Sequence, residues 1–524
     1  MAGRYSQSLL KLSNSTLLKA AIFATGCSGI VAEYVLATLA TYFLGNQLVQ
    51  WTLIISIMLF AMGLGSRLSR NISGNLLAKF IVIEMVLSLL VGFSAMMVYS
   101  VAAVSYYEGI MIYILSIGVG LLIGLEIPLV TRINDEYQDL RINISSVLEK
   151  DYYGSLLGGV FFAFIGLRYL GLSYTPILLG VINFVVALVL FLKLQKLISK
   201  APRIRLSAAL SGTLALLATG FFTSDSIVLW ADQNRYKDKV IFSKQTQYQK
   251  ITLTQWQDDY WLYINHNQQL STLDEFLYHE PLVHPLMALS KPRDVLIIGG
   301  GDGCAVNEVL KHDYVQNITL VDLDPEMIRL AKDHEVFTAM NDSSLWSEKV
   351  TVVNADGKKF LERTEAFYDA IIIDLPDPKT VDLAMLYSKE FYSLCKLRTR
   401  PDGAIITQAG SPYYATEAFY CIDRTMKAAG WETLPMQNQI LTMGQWGWVL
   451  AHQNLNKAEM KGFIQNELRQ SSLKKIDTRW LTPDAFEHVT SFGKPLKDTS
   501  QIKVNTLTDP ILPQYYNKGN WDLY

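Results

Sequence analysis

Three features of the sequence predict a chain in two parts, an α-helical polytopic membrane domain followed by an α/β domain. Seven apolar stretches lie within the first 230 residues, and most reach the ~20 residues that cross a bilayer. From Asp232 onward the composition becomes polar and mixed. Farther on, residues 294–303 read DVLIIGGGDG, so a short apolar run enters glycines directly, as a buried parallel strand does before a helix. The apolar stretches are about 17–44, 48–66, 79–104, 110–131, 153–172, 174–195 and 206–229.

The first half, residues 1–230, is predicted to be a multi-pass domain of the cell (inner) membrane, in contact with the lipid bilayer. Its first apolar stretch is too long for a removable signal peptide and is followed by further spans. Lysine and arginine occur in the N-terminal segment and in the second, fourth and sixth connections, whereas the first, third and fifth have essentially none. Because positive loops stay in the cytoplasm, the N-terminus is predicted to be cytoplasmic.

Seven crossings from a cytoplasmic N-terminus would place the second half outside, away from the cytosolic pool of the nucleotide-type ligands that a strand–glycine–helix unit binds. The stretch 206–229 contains Gly212 and Gly220 and is followed closely by polar residues, so it is a candidate for a re-entrant or interfacial segment. We therefore expect six crossings and a cytoplasmic catalytic half. This expectation gives the location of the ligand more weight than the orientation that the charge rule and seven spans would give.

Three acids lie inside the apolar stretches, Glu33, Glu84 and Glu126. An ionisable side chain at membrane depth is costly and is a functional candidate. One interpretation is a hydrogen bond within the helix bundle. The other is a cavity for a polycation, through which the membrane half would bind, move or sense an amine.

The second half is predicted to contain a small antiparallel β unit and a helix (231–290), a Rossmann-like domain (291–500) and a C-terminal tail (501–524). Strand-like alternation occurs at 240–242, 250–256 and 261–264, and a helix is expected at 274–289. Alternating strands and helices from 293 to 452 indicate a doubly wound sheet, of the class I methyltransferase-like type. The four cysteines lack metal or redox spacing, and no basic patch indicates nucleic acid.

Acidic residues follow four successive predicted strands of this sheet, the edge at which open α/β sheets bind ligands. Each acid alone would more often be a helix N-cap or a turn residue. Taken together, they predict a ligand that carries positive charge and make phosphate a poor candidate. The acids are Asp302, Asp322, Asp356, and the pair Asp374 and Asp377.

These motifs resemble the spermidine synthases, or polyamine aminopropyltransferases, of the membrane-anchored bacterial type. That family has a GGGDG loop, an acid after the second strand, a DG or DD pair after the third and Asp-x-x-Asp-Pro after the fourth. Tyr248-Gln249 and the segment 268–280, QQLSTLDEFLYHE, resemble the family's upstream motifs. The resemblance spans roughly 240–452.

The resemblance implies transfer of the aminopropyl group of decarboxylated S-adenosylmethionine to an amine such as putrescine, giving spermidine and methylthioadenosine. Asp374 would be the catalytic base. The amine and the ammonium of the donor would be bound by Tyr278, His279, Asp302 and Asp377. The rest of the donor would be bound by Gln249, Gly299, Gly301, Asp322, Asp356 and Gly357. No metal or further cofactor is implied, and members are often homo-oligomers.

Several positions depart from the family pattern. Leu375 and Pro376 stand between the paired acids where small hydroxyl residues are common, so the acceptor amine is left open. Asp322 replaces the usual glutamate, Cys304 a common glycine and Leu441 a common tyrosine. Two other functions stay open on the sequence, namely a class I S-adenosylmethionine-dependent methyltransferase and a polyamine transporter or sensor with a binding-only synthase-like domain.

Overall fold

The computed structural model describes residues 2–45, 47–135, 137–470, 476–494 and 499–521, and the side chains from residue 14 onward except that of Gln470. The last three residues of the predicted tail lie outside the described residues. The chain divides into two compact units, Met1–Gln247 and Tyr248–Tyr524, which we call the helical unit and the α/β unit.

The helical unit consists of long apolar helices and a final strand, β1 (Lys239–Gln245). By length and composition, five of its described helices could cross a membrane, and the pair α3–α4, bent by 45°, would add a sixth crossing as one broken span. The helices are α1 (Ala2–Leu44), α2 (Gln47–Ser69), α3 (Leu76–Gly92), α4 (Ser94–Val104), α5 (Glu108–Asn134), α6 (Leu140–Phe161), α7 (Gly171–Leu194) and α8 (Lys200–Arg235).

The apolar run Leu140–Leu197 counts as one candidate span of 58 residues, although a crossing needs only ~20. A π-helical segment, Phe162–Leu170, and Gly171 interrupt it. Gly171 has φ +63° and ψ −167°, which no helix adopts, and a glycine tolerates this conformation because it has no Cβ. The run therefore contains two of the seven apolar stretches, 153–172 and 174–195, and this glycine lies near the end of the first.

The close contacts between helices define their directions. Helix α1 lies parallel to α6, since Gly154 meets Phe23 and Cys27 and Gly158 meets Cys27 and Ile30. Helix α5 runs opposite to α1 and α3, and parallel to α2. Helix α7 runs opposite to α3 and α8. Thus α1, α3, α6 and α8 point one way and α2, α5 and α7 point the other.

Helix α8 is a single unbroken helix of 36 residues, about 54 Å long at 1.5 Å per residue. The re-entrant segment that the sequence suggested for 206–229 is not seen, because this stretch continues through both glycines as one helix with the length and composition of a span. Its interfacial alternative stays a prediction. Packing of α8 against α3, α4 and α7 outweighs the low helix propensity of the two glycines.

The α/β unit begins with a small antiparallel sheet, as the sequence predicted. Strand β2 (Lys250–Trp256) pairs with β3 (Asp259–Ile264), which pairs with β4 (Asn267–Ser271). Strand β4 was not predicted from the sequence, because its polar residues NQQLS lack an alternating apolar pattern. Helix α9 (Phe276–Ser290) follows, close to the predicted range.

The main sheet has seven strands in the order β10-β11-β9-β8-β5-β6-β7, with β10 and β11 antiparallel to their neighbours and the other strands parallel. The strands are β5 (Asp294–Gly299), β6 (Asn317–Asp322), β7 (Val350–Asn354), β8 (Tyr368–Asp374), β9 (Thr399–Gly410), β10 (Glu432–Ile440) and β11 (Gly444–His452). This confirms the predicted Rossmann-like fold.

Helices cover both faces of this sheet. They are α10 (Cys304–Leu310), α11 (Pro325–Asp333), α12 (Glu335–Met340), α13 (Gly357–Arg363), α14 (Val381–Met385), α15 (Lys389–Arg398), α16 (Thr416–Ala428), α17 (Lys457–Gln470), α18 (Pro483–Val489) and α19 (Leu512–Asn517). In β5, Val295 and Ile297 face one apolar core, and Leu296 and Ile298 face the other. Burial on both faces explains the uninterrupted apolar run in the sequence.

The strand order reverses between β5 and β8, and this switch point brings two loops together. Gly299 at the end of β5 lies in register with Asp374 at the end of β8. Gly299 has φ +81°, and a Cβ there would collide with the carbonyl of Asp374. The carboxyl ends of these two strands are where open α/β sheets bind their ligands.

We predict that Gly299→Ala destabilises the α/β unit by about 2 kcal/mol or more, because alanine would be strained at this φ and would push the loop away from Asp374. Thermal unfolding of the full chain in detergent should show the transition of this unit lowered by roughly 4–8 °C.

The matched control is Gly462→Ala in α17, where a Cβ would meet nothing within 4 Å. Since alanine favours a helix over glycine, that variant should unfold at the same or a slightly higher temperature. An unchanged transition for Gly299→Ala would contradict the steric argument.

Candidate active site

The glycine loop after β5 is held by backbone contacts and by a distant segment of the chain. The N–H of Gly300 donates to the carbonyl of Asp374 at 2.9 Å. From the far side, Asn341 donates its amide to the carbonyl of Asp302 at 2.8 Å, and Ser344 donates its hydroxyl to that of Gly303 at 2.9 Å. The loop is therefore fixed on both sides, and Asp302 projects from a rigid base.

Asp302 belongs to a tight polar cluster at this edge of the sheet. One of its oxygens accepts the N–H of Cys304 at 2.8 Å. Its carboxylate, that of Asp374 and a ring nitrogen of His279 all lie within 4.8 Å of one another. Three residues from α9, the β5 loop and the end of β8 thus meet at one point, as the sequence predicted for the strand ends.

Asp374 lies at the centre of this cluster and accepts the hydroxyl of Tyr278 at 2.7 Å. Burial raises the pKa of Asp374 to about 6, and the charge of Asp302 acts in the same direction. The positive charge of His279 and the hydrogen bond from Tyr278 oppose that rise. A carboxyl with a pKa near 6 is mostly ionised at pH 7 and can still accept a proton, as a general base must.

His279 is buried and its ring Nδ1 lies 3.1 Å from a carboxylate oxygen of Glu275. Burial by itself lowers the pKa of His279, but the hydrogen bond to Glu275 and the charges of Asp302 and Asp374 outweigh it and raise the pKa to about 9. The imidazole is therefore protonated at neutral pH and partly offsets the two aspartates. Glu275 had no assigned role in the sequence analysis.

The last residue of the YHE segment has a different task. Glu280 is fully buried and its carboxylate accepts three backbone N–H groups, those of Arg479, Trp480 and Leu481, at 2.5 to 3.0 Å. It anchors the segment before α18 to α9 and so holds Tyr278 and His279 in place.

Asp377 faces a second group of polar side chains. It accepts hydrogen bonds from the hydroxyl of Tyr516 and, at 3.3 Å, from the amide of Gln408. Burial raises the pKa of Asp377, whereas the nearby charge of Lys379 lowers it. The ammonium of Lys379 donates instead to Asn267 on β4.

The segment between the paired acids is fixed through its backbone. Tyr387 donates its hydroxyl to the carbonyls of Leu375 and Pro376, each at 3.2 Å, and Gln408 also donates to the carbonyl of Leu375 at 2.9 Å. The apolar side chains at 375 and 376 therefore do not loosen the loop that carries Asp374 and Asp377.

Tyr516 could not be found from the sequence. It lies on α19 in a C-terminal stretch without a motif, 139 positions from Asp377. It is 2% exposed, and its ring packs against Trp521 with 4.6 Å between centroids. A tyrosine from the tail thus contacts Asp377, one of the two paired acids. Position 441, where the resemblance leads us to expect a tyrosine, is a leucine.

Asp322, at the end of β6, lies beside the glycine loop. A Cβ on Gly301 would meet its carboxylate at 2.6 Å, so glycine is required for this approach. Burial raises the pKa of Asp322 to about 6, with the backbone N–H of Asp324 lowering it and the charges of Asp324 and Asp302 raising it. Its contact with a donor ribose stays a prediction.

The structure does not bring Asp356, Gly357 or Gln249 into the cluster. Asp356 accepts the N–H of Lys359 at 2.9 Å and so caps α13. A helix cap is the role that the sequence left open for each acid besides ligand binding. Gly357 packs closely against Ile298. Gln249 immediately precedes β2. Their proposed contacts with a donor stay predictions.

Two three-residue groups of the described residues have the ligand types and spacing of a metal site, His279–Asp302–Asp374 and Glu275–His279–Cys304. Both use His279, whose Nδ1 already contacts Glu275 and whose pKa of about 9 keeps a proton on the ring at neutral pH. A metal ion would have to displace that proton.

The fold and this cluster define a Rossmann-like protein with buried acids at the ligand-binding edge of its sheet. Residues 275–461 match the Spermine/spermidine synthase domain. Polyamine aminopropyltransferase 2 of Aquifex aeolicus is 42% identical and covers 97% of this chain and 99% of its own length. Polyamine aminopropyltransferases of Oceanobacillus iheyensis (37% identical, 95% and 96% covered) and Leptospira interrogans (36%, 96% and 98%) are similar over nearly the same extent.

The chain belongs to the polyamine aminopropyltransferases. Because these relatives match over almost their whole length, they share the helical unit as well as the α/β unit. A crystal structure of spermidine synthase from Thermotoga maritima is 25% identical, covering 49% of this chain and 85% of that one with a TM-score of 0.44.

We predict that Tyr516→Phe raises the KM for the amine acceptor about tenfold, because it removes the hydrogen bond that positions Asp377, the acid expected to bind the amine. A hydrogen bond to a charged group contributes roughly 1.5–3 kcal/mol, and a water molecule would replace part of it. The KM for the aminopropyl donor should not change. Initial rates at varied concentrations of each substrate measure both constants.

Tyr515→Phe is the control, since it removes a hydroxyl from the same helix that accepts the N–H of Lys503 instead. It should leave both KM values unchanged. Equal effects of the two variants would mean that the hydroxyl of Tyr516 only stabilises the tail.

Proposed function

We propose that this enzyme transfers the aminopropyl group of decarboxylated S-adenosylmethionine to an amine such as putrescine, giving spermidine and methylthioadenosine. The observation that carries the proposal is the convergence of Asp302 and Asp374 with His279 within 4.8 Å, with Asp377 in the same loop as Asp374. Both reactants arrive as cations, and a cluster of carboxylates offsets their mutual repulsion.

On the donor side, Asp302 binds the primary ammonium and Asp322 the ribose hydroxyls. The glycine loop at Gly299 and Gly301 leaves room for the nucleoside, since side chains there would collide with Asp374 and Asp322. Asp356, Gly357 and Gln249 complete the donor site in this proposal. No metal ion takes part, and decarboxylated S-adenosylmethionine is a co-substrate rather than a resident cofactor.

On the acceptor side, Asp377 binds the distal ammonium of the amine, while Tyr278 and His279 shape the pocket around the attacking nitrogen. Asp374 removes a proton from that nitrogen, which otherwise has no lone pair to donate. The nitrogen then attacks the carbon next to the sulfonium, the new C–N bond forms as the C–S bond breaks, and methylthioadenosine leaves with the electron pair on sulfur. The proton stays on the Asp374 carboxylate.

The methyltransferase alternative fits the site less well. Ordinary S-adenosylmethionine carries a carboxylate, which Asp302 and Asp374 would repel. The curated relatives are named aminopropyltransferases, which also disfavours a binding-only transporter or sensor. A homo-oligomer stays a prediction from the family resemblance.

We predict that Asp374→Asn lowers kcat roughly 10²- to 10⁴-fold, the usual contribution of a positioned general base. In the wild type, kcat/KM should rise with pH through about 6, because the Asp374 carboxylate must lose its proton before it can act. Methylthioadenosine release, quantified between pH 5 and 8, measures both effects.

Asp377→Asn in the same loop is the control. It should raise the KM for the amine and keep the rise in kcat/KM near pH 6. Because the pKa of Asp322 is also about 6, the pH dependence of kcat is compared at saturating donor. An acid limb near pH 6 that persists there in Asp374→Asn would remove Asp374 as the base.

We also propose that the helical unit embeds the enzyme in the cell membrane as a multi-pass protein. The lysine- and arginine-rich connections all lie at the end where α1 begins, which the charge rule makes cytoplasmic. Four helices run one way and three the other, so α8 ends at the opposite face. The cytoplasmic catalytic half stays a prediction, and the helix directions oppose it.

Cysteine labelling on intact cells tests this. From the helix directions we expect Lys237→Cys, an exposed position after α8, to react with a membrane-impermeant maleimide. Ser73→Cys, in the connection between α2 and α3, is the control and should react only after permeabilisation. Labelling of Lys237→Cys only in permeabilised cells would restore the cytoplasmic placement.

A further inference from the structure

The helical unit contains acidic side chains that the transfer reaction does not use. Glu84 on α3 and Glu126 on α5 are 0% and 2% exposed, and each lies within an apolar helix. The two charges act on each other. Among the described residues, neither oxygen of Glu84 has a hydrogen-bond partner, and Oε1 of Glu126 has none either.

Other polar groups lie at the same level of the helix bundle. Thr25 on α1, whose hydroxyl donates to the carbonyl of Ile22 at 3.3 Å, lies near the Glu126 side chain, and the charge of Asp151 on α6 acts on Glu126. Gly26 makes room for Asp151, since a Cβ there would meet its carboxylate at 2.7 Å. Helices α1 and α6 therefore contribute polar side chains at the level of Glu126.

Asn183 on α7 completes this level. Ser88 donates to the carbonyl of Gly180 at 2.6 Å, and Gly92 approaches Pro176, so α3 and α7 run antiparallel with a known register. Glu84 lies one helical turn before Ser88 on α3, and Asn183 lies about one turn after Gly180 on α7. The register therefore places Asn183 at the level of Glu84. Asn183 is 0% exposed, and neither its amide nitrogen nor its oxygen has a partner among the described residues.

The basic residues nearest to the glutamates on their own helices are engaged elsewhere. Lys79 donates to the carbonyl of Ser73, and Arg132 donates to those of Ser69 and Ile72 at 3.0 and 2.9 Å. Residues 1–247 contain no histidine. A buried carboxylate without a cation costs several kcal/mol, so Glu84 and Glu126 need either a proton or a positively charged partner, and such a partner would have to come from a ligand.

The spacing of these acids does not suit a single metal ion. Within the described part of the helical unit, no three acid, histidine or cysteine side chains bring their ligand atoms within 4.8 Å of one another, as the cluster in the α/β unit does. Carboxylates spread over α3, α5 and α6 instead fit an elongated cation whose charges are separated by several carbons. The enzyme's own acceptors and products are cations of this kind.

We propose that Thr25, Glu84, Glu126, Asp151 and Asn183, which we call the polar layer, bind a polyamine within the helical unit. The ammonium groups pair with Glu84 and Glu126, and the side-chain oxygens of Thr25 and Asn183 accept the remaining N–H bonds. Glu84 lies eight residues from the start of α3 and Glu126 eight from the end of α5, so the polar layer lies about 12 Å inside the lysine- and arginine-rich face. Glu33 lies eight residues beyond Thr25 on α1, about 12 Å farther along, and is not part of it.

This site is separate from the catalytic cluster and is tested by binding stoichiometry. The full chain in lipid nanodiscs is equilibrated with radiolabelled spermidine, without donor. We expect two bound equivalents per wild-type chain and one in Glu84→Gln/Glu126→Gln, whose affinity at the lost site falls at least tenfold. Methylthioadenosine release by that variant should keep the wild-type kcat and KM, so that failure of this proposal and failure of the transfer proposal are distinguishable.

Glu149→Gln is the matched control, because Glu149 is an exposed acid of α6 paired with Lys150 at 2.8 Å. It should bind two equivalents. Asn183→Leu changes the polar layer without removing a charge, and it should weaken the same site if the double variant does not fold. Two equivalents in both polar-layer variants would overturn the proposal. A single wild-type equivalent that is lost in Asp377→Asn would overturn it as well.

Discussion

The active site depends on the close approach of two strand ends, those of β5 and β8. Gly299 lies in register with Asp374, and the absence of a side chain at Gly299 lets the N–H of Gly300 reach the Asp374 carbonyl at 2.9 Å. This contact places Asp302 and Asp374 on adjacent loops, where His279 can lie within 4.8 Å of both carboxylates. Any side chain at Gly299 would push these loops apart and separate the acids.

The proximity of the acids has an electrostatic cost that the site partly compensates. Burial and the neighbouring carboxylates raise the pKa values of Asp322 and Asp374 to about 6, whereas Glu275, Asp302 and Asp374 raise the pKa of His279 to about 9. The protein's own histidine thus supplies one positive charge among several negative ones. The remaining negative charge attracts cationic ligands, whose binding relieves the repulsion.

The buried acids of the two units differ in the positive charges that lie near them. In the α/β unit, His279 and Lys379 act on the buried acids. In the helical unit, Glu84 and Glu126 are buried more completely, and the nearest basic side chains on their helices bind backbone carbonyls instead. Partial compensation by the protein's own cations, as in the α/β unit, suits turnover, because a cationic ligand must also be able to leave. The second leaves its carboxylates dependent on an external cation.

By itself, the sequence determined the two-part architecture, the strands of the main sheet and the acids at its edge, because apolar runs, glycines and strand-end acids are local patterns. It missed β4, whose polar residues lack alternation, and it favoured a broken segment where α8 is continuous. Only the tertiary structure separated Asp356, a helix cap, from Asp302 and Asp374, which share one cluster. It alone brought Tyr516 to Asp377 and Glu84 to Glu126, since such contacts join residues far apart in the chain through packing that no local pattern encodes.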